Sequence, residues 1–276
     1  MIGKVKNAIF WRALRKIKWL CIERPFEIDE KSVNGNAIDY SSSNHPLNYI
    51  FSKVRYNGRK KVYSIFVTMC TPSENDTIID IGVTPDESLK ESNFFEQFYP
   101  YKNKITAVSI EDASFLEQKY NGLKFVQIEK NENFPFQDNE FDILFCNAVI
   151  EHVGSREEQC FFISECIRIS KKFFFQTPNR YFPLEMHTII PFLHWLPMKY
   201  FRKILKLLKK DFFASEENLN LFTWKELHQM VAAALPEQYV DTKIVDYSIK
   251  TFFWPSNMII CGMKEMGGDS LPSSNR

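Results

Sequence analysis

Two apolar runs constrain this chain more than anything else in it: Thr77-Ile78-Ile79-Asp80-Ile81-Gly82 and, about 65 residues later, Phe141-Asp142-Ile143-Leu144-Phe145-Cys146-Asn147-Ala148-Val149-Ile150-Glu151-His152-Val153. Each reads as a strand that delivers polar residues at its carboxyl end. In open parallel sheets the ligand crevice lies outside those ends, where the strand order reverses. A site is therefore expected near Asp80, Gly82, Asn147 and His152.

From residue 77 onward short apolar strands alternate with helical patterns, as βαβ units do. The expected strands are 77–81, 104–110, 123–128, 141–146 and 172–177. Two later runs, Lys243–Ile249 and Asn257–Met263, are joined too closely for a parallel crossover, which needs a dozen or more residues. The fold class is α/β, a mostly parallel sheet closed by a C-terminal antiparallel hairpin and carrying an α-helical insertion.

With 276 residues the chain can build one sizeable core with extensions. The 26 Phe and 11 Tyr exceed ordinary usage and suggest apolar surfaces or a greasy substrate. A net charge of +1 gives no whole-molecule field that would attract nucleic acid. Cys21, Cys70, Cys146, Cys160, Cys166 and Cys261 contain no C-x-x-C pair and mostly sit in apolar runs, which suits a cytoplasmic protein. No apolar run reaches the roughly 18 to 20 residues that cross a bilayer, and a signal-peptide pattern is absent from the N-terminal stretch.

Residues 1–24 combine seven basic side chains with apolar positions at helical spacing and Trp11 and Trp19. This basic amphipathic helix, with the linker that runs to residue 48, either packs on its own domain or lies on an anionic membrane, the inner face in a cytoplasmic protein. The main domain is expected over 49–264, with a helical cap at 181–222 and a disordered tail at 265–276. If the cap also meets lipid, Trp195, Phe201 and Phe212 would rest among the chains while Lys206, Lys209 and Lys210 face phosphates.

The Asp-x-Gly after the first strand, the Val149-Ile150-Glu151-His152-Val153 segment after the fourth and the closing hairpin together resemble the class I S-adenosylmethionine-dependent methyltransferases, whose fold is Rossmann-like. The likeness covers about residues 75–180 and 240–264. Its most specific part is Asn133-Phe134-Pro135-Phe136-Gln137-Asp138-Asn139-Glu140-Phe141-Asp142, similar to a signature of the branch that methylates small molecules, sugars and lipid precursors. Where that family carries Asp-x-Gly-x-Gly-x-Gly, this chain reads Asp80-Ile81-Gly82-Val83-Thr84-Pro85-Asp86, so Thr84 and Pro85 must shape a different turn. The same version, with a segment like Thr177-Pro178-Asn179-Arg180-Tyr181-Phe182-Pro183, looks familiar from methyltransferases of bacterial surface-polysaccharide clusters.

The resemblance implies S-adenosylmethionine as cofactor, with Asp80, Gly82 and Thr84 around its amino-acid end and Asn147 and Ala148 beside its methionine portion. Glu111, with Asp112 in reserve, would take the ribose hydroxyls, because a carboxylate accepts two hydrogen bonds. Glu129 stands nearest the adenine position, and is equally a solvated loop acid. Asn147 also reads as a helix cap. His152 is either a general base, its ordinary pKa being about 6.5, or a buried structural histidine. Glu185 and His187 follow the fifth strand and would bind sugar hydroxyls or share the base role. No histidine or cysteine has metal-ligand spacing, so no metal is expected.

The expected activity is O-methylation of a sugar or lipid-linked glycan precursor. The alternative is a scaffold subunit that has lost its cofactor, prompted by the missing glycines. A nicotinamide dehydrogenase is weaker, since Gly-x-Gly-x-x-Gly is absent.

Overall fold

The first central strand, β1 (Ile78–Ile81), reads Ile-Ile-Asp-Ile and is buried at every position, as a parallel strand covered on both faces requires. β2 (Ile105–Ser109) and β4 (Phe141–Asn147) flank it in parallel, with Asp80 opposite Ala107 on one side and Phe145 on the other. β3 (Lys124–Gln127) lies outside β2, and β5 (Ser170–Pro178) outside β4. A hairpin of β8 (Lys243–Thr251) and β9 (Trp254–Met263) completes the sheet, β9 running antiparallel to both β5 and β8. The order β3-β2-β1-β4-β5-β9-β8 reverses between β1 and β4, where the crevice rule puts a site.

The computed structural model describes residues 48–89, 91–239, 242–251 and 253–265. The basic helix expected at 1–24, the linker up to residue 47 and the tail beyond residue 265 lie outside the described residues. The chain divides into units Met1–Asn48 and Tyr49–Arg276, the second carrying the sheet.

The expected strands stand within three residues of their observed bounds. Among the described residues seven segments form α-helices: α1 (Asn48–Cys70), α2 (Phe94–Phe98), α3 (Phe115–Lys119), α4 (Arg156–Ile169), α5 (Met198–Leu207), α6 (Asp211–Ala214) and α7 (Trp224–Ala234). Ser155 with Glu158 and Thr223 with Glu226 form reciprocal capping boxes that satisfy the first amides of α4 and α7 and fix where they start.

Strand pleating sends alternate side chains to opposite faces. In β5, Phe173 and Phe175 join the core beneath α4 and α7, while Phe174 enters the core beneath α1 and α2. There Phe145 stacks on Phe95 at 4.5 Å and on Phe174 at 5.4 Å, and meets Phe66 edge-on at 5.1 Å. Much of the phenylalanine surplus is thus core packing, while Phe192, Phe212 and Phe253 remain exposed.

The signature stretch 133–142 has a structural explanation as well. Arg168 of α4 donates to the carbonyls of Phe134 (3.1 Å) and Phe136 (2.8 Å) and to Asp138 (2.9 Å), while Glu165 accepts from the Phe134 amide (2.8 Å). Asp142 then accepts from the Thr77 amide and hydroxyl and from Lys171, tying together the starts of β1, β4 and β5.

The insertion carries the helices α5 and α6 and a short strand pair ahead of them, β6 (Leu184–Glu185) with β7 (Ile190–Pro191). Phe201, expected to face lipid, is wholly buried with Leu205, Ala214, Leu219 and Leu221 in the insertion's own small core. Its helical spacing to Leu205 puts both on the inward face.

Candidate active site

The loop after β1 is built around buried acids. Asp80 is almost fully buried and lies against Glu96 of α2, which is wholly buried. Burial, and then the neighbouring Glu96 charge, hold the Asp80 carboxyl well above the usual carboxylate range; burial raises Glu96 too. Two acids in contact do not both ionise readily, so the pair retains a proton. Arg59 of α1 is the cation whose field reaches Asp80, and it also reaches Glu151.

An acid with a raised folded-state pKa loses stability as pH climbs from its unfolded value, near ~4.3 for Glu, to its folded value. Glu96→Gln removes that loss and supplies an amide donor to Asp80. The variant is expected to be more stable than wild type at pH 8, with the gap closing towards pH 4, roughly the range over which wild-type Glu96 regains its proton. Thermal unfolding at both pH values checks this; a variant less stable at pH 8 contradicts it.

Gly82 has a φ of +103°, and a Cβ there would collide with the side chain of Val149, so only glycine lets this loop pass the end of β4. The missing later glycines are replaced by a side-chain clamp. Asn93 accepts from the Thr84 amide and donates to the Thr84 carbonyl, both at 2.9 Å, and the Thr84 hydroxyl accepts from the Asp86 amide at 3.1 Å. Thr84 therefore shapes the turn with its backbone and its hydroxyl.

At the next strand end, β2 stops at Ser109, whose hydroxyl accepts from the Glu111 amide at 3.2 Å. Glu111 lies beyond the strand, so the two-residue alternation that singled it out does not govern its direction. Asp112 is exposed and accepts from the Ser114 amide at 2.9 Å, a turn just ahead of α3. Glu129 is exposed just past β3.

The end of β4 gathers the rest. The Asn147 side-chain oxygen is buried and accepts no hydrogen bond among the described residues. Ala148 has a φ of +57°, costly for a residue with a Cβ and characteristic of functional loops. A single 3-10 turn, Ile150–His152, follows. Glu151 is wholly buried; its Oε2 accepts from the Thr177 hydroxyl at 3.0 Å, whereas its Oε1 has no donor among the described residues.

His152 donates from Nδ1 to the Asn218 carbonyl at 2.6 Å. Between β6 and β7, His187 donates from Nδ1 to Glu185 at 2.6 Å, and Glu185 also accepts from the His187 and Thr188 amides. The two imidazoles meet edge-on at 4.8 Å. His152 and His187, distant in the chain, thus converge on Glu151, with Glu185 holding His187 from its far side.

Their charges differ. Burial, with His187 nearby, pushes His152 down to about 3, so it is neutral at pH 7. Burial also opposes the His187 charge, but the Glu185 carboxylate outweighs it and raises His187. Glu185 in turn falls to about 2, because the His187 charge and hydrogen bonds overcome its burial. Burial raises Glu151. Reading the sequence overlooked Glu151, although it stands inside the quoted motif, as well as Glu96, Arg59 and Asn93, which no motif marks.

Two buried acceptors that receive no hydrogen bond among the described residues, Asn147 Oδ1 and Glu151 Oε1, thus gather at the carboxyl end of β4, beside the paired acids after β1. Such a lining suits a ligand that brings cationic or hydrogen-donating groups.

Residues 87–172 match the family model of a methyltransferase domain. The chain resembles solved structures of low identity: a methyltransferase from Methanosarcina mazei (17% identity, covering 71% of this chain and 95% of that one, TM-score 0.45) and the YcgJ protein of Bacillus subtilis (13%, 75% and 100%, 0.47). A third is the magnesium protoporphyrin IX methyltransferase of Synechocystis, solved with S-adenosylhomocysteine (13%, 82% and 91%, 0.48). No curated protein matches the chain.

Proposed function

From the match of residues 87–172 to a methyltransferase-domain model, we propose that the chain uses S-adenosylmethionine to methylate a hydroxyl of a sugar or lipid-linked glycan precursor, as in surface-polysaccharide assembly. The observation that carries this reading is the convergence of Glu151, His152 and His187 with Glu185 where the cap meets the end of β4. Neutral His152 and the buried carboxylates offer hydrogen-bond acceptors to a hydroxyl, and the constellation takes up its proton. An exposed aromatic group stands on the same side: Trp195 lies 4.9 Å from Phe192 and 6.1 Å from Trp254 at the hairpin tip, supplying flat apolar surface beside polar groups.

The residues fit the cofactor by the chemistry of the donor set. S-adenosylmethionine carries an ammonium, a sulfonium and an activated methyl group, and the Asp80–Glu96 pair after β1 and the Asn147 oxygen at the end of β4 offer acceptors to them. Asp80, Gly82 and Thr84 would hold the amino-acid end, Asn147 and Ala148 the methionine portion, Glu111 or Asp112 the ribose and Glu129 the adenine. The chain's own work is to align the acceptor and exclude water.

The test is transfer of a labelled methyl group to a panel of nucleotide-activated sugars, lipid-linked sugars, amines and carboxylates. Methyl ethers on sugar acceptors are expected; products only on nitrogen or carboxylate contradict the reading.

Peripheral membrane contact belongs to the same proposal, because a lipid-linked acceptor is presented at a membrane. In support, α5 and the turn after it expose Tyr200, Leu207 and Leu208 among Lys203, Lys206 and Lys209. No helix among the described residues is long and apolar enough to cross a membrane. Flotation with anionic vesicles should carry the protein upward and fail for Leu207→Glu/Leu208→Glu; a double variant that floats like wild type removes this contact.

A further inference from the structure

We propose that Glu151, His152 and His187 form a binding site for one divalent transition-metal ion. One potential ligand atom from each residue can be chosen so that all three lie within 4.8 Å of one another. Ligands about 2.0–2.2 Å from a tetrahedral zinc stand roughly 3.4 Å apart, so a modest inward movement of side chains closes the set.

Three features orient those atoms. The Nδ1 of His152 is engaged by the Asn218 carbonyl, and its Nε2 faces Glu151 Oε1 at 4.0 Å. The Nδ1 of His187 is engaged by the Glu185 carboxylate, which turns its other ring nitrogen away from Glu185. Metal-binding histidines are commonly fixed in this way, by a carbonyl or carboxylate on the far nitrogen. Glu151 itself is wholly buried, held through Oε2 by Thr177, with Oε1 receiving no hydrogen bond among the described residues. A buried carboxylate oxygen without a donor, beside two oriented imidazoles, needs a partner that accepts its lone pair.

Two imidazoles and one carboxylate favour zinc, cobalt, iron or manganese over magnesium and calcium, which prefer oxygen ligands. No spacing rule would reveal the set, because two ligands are adjacent at the end of β4 and the third sits in the β6–β7 loop. An ion there would also fasten that loop to the sheet. A hydroxyl bound to the ion would have a lowered pKa; that role rests on the proposed hydroxyl methylation, whereas ion binding does not.

The test uses full-length protein stripped with a chelator, titrated with Zn²⁺ by calorimetry and with Co²⁺ by visible absorption, Mg²⁺ serving as comparison. One equivalent of Zn²⁺ is expected, with Co²⁺ bands of nitrogen and oxygen ligation. Affinity should fall at least about tenfold in both His187→Ala and Glu151→Gln. His228→Ala, which removes the exposed His228–Asp246 pair, should leave it unchanged. Failure of wild type to bind, or wild-type affinity in either of the first two variants, overturns the site. Titrating the same preparations with S-adenosylmethionine reports folding and the cofactor site separately, so a failed metal site is distinguishable from a failed methyltransferase reading.

Discussion

His152→Ala is expected to lower methyl transfer by about 10²- to 10⁴-fold, the range over which positioned acid–base groups act. Its affinity for S-adenosylmethionine should change little, because the ring faces Glu151 and His187 rather than the Asp80–Gly82 loop. The substitution removes the imidazole that touches His187 and the hydrogen bond that ties the 3-10 turn to Asn218. Steady-state kinetics beside a calorimetric titration check the split. An equal loss of cofactor affinity and turnover would mean that His152 supports the cofactor side instead.

Phe145→Ala should cost about 3–5 kcal/mol of stability, at the severe end for core truncations. Phe145 is buried in β4, with its ring against Phe66, Phe94, Phe95 and Phe174. These rings come from α1, α2 and β5, so no single element can move in to fill the space without disturbing another. For a domain of this size a loss of 4 kcal/mol corresponds to roughly 8–16 °C in Tm. Thermal unfolding tests it; a fall of a degree or two would show that the aromatic cluster repacks around the void.

The sheet was legible because its signal is local: apolar runs of strand length, a Gly after β1 and a hairpin too short for any crossover. The candidate site was legible only in part. Asp80, Asn147, Ala148 and His152 lie at strand ends, where position alone marks them. Glu111 was singled out by carrying the alternation of a strand past its end at Ser109. Phe201 stands among lysines in the sequence, and only its packing with Leu205 and Leu219 in space marks it as core. Glu151, Glu96 and Arg59 are long-range partners of one another or of Asp80, and charge coupling across elements leaves no spacing pattern. The Asn93 clamp on Thr84 explains how the loop keeps its turn without the later glycines, which no pattern of residue types suggested.

The measurement that bears most directly on the account is calorimetric titration of the purified full-length chain with S-adenosylmethionine and its demethylated product, alongside Asp80→Ala. The account predicts one saturable site for both ligands in wild type, weakened at least about tenfold in a folded Asp80→Ala variant. No binding by correctly folded wild-type protein would contradict it and leave a methyltransferase-like fold that serves without the cofactor.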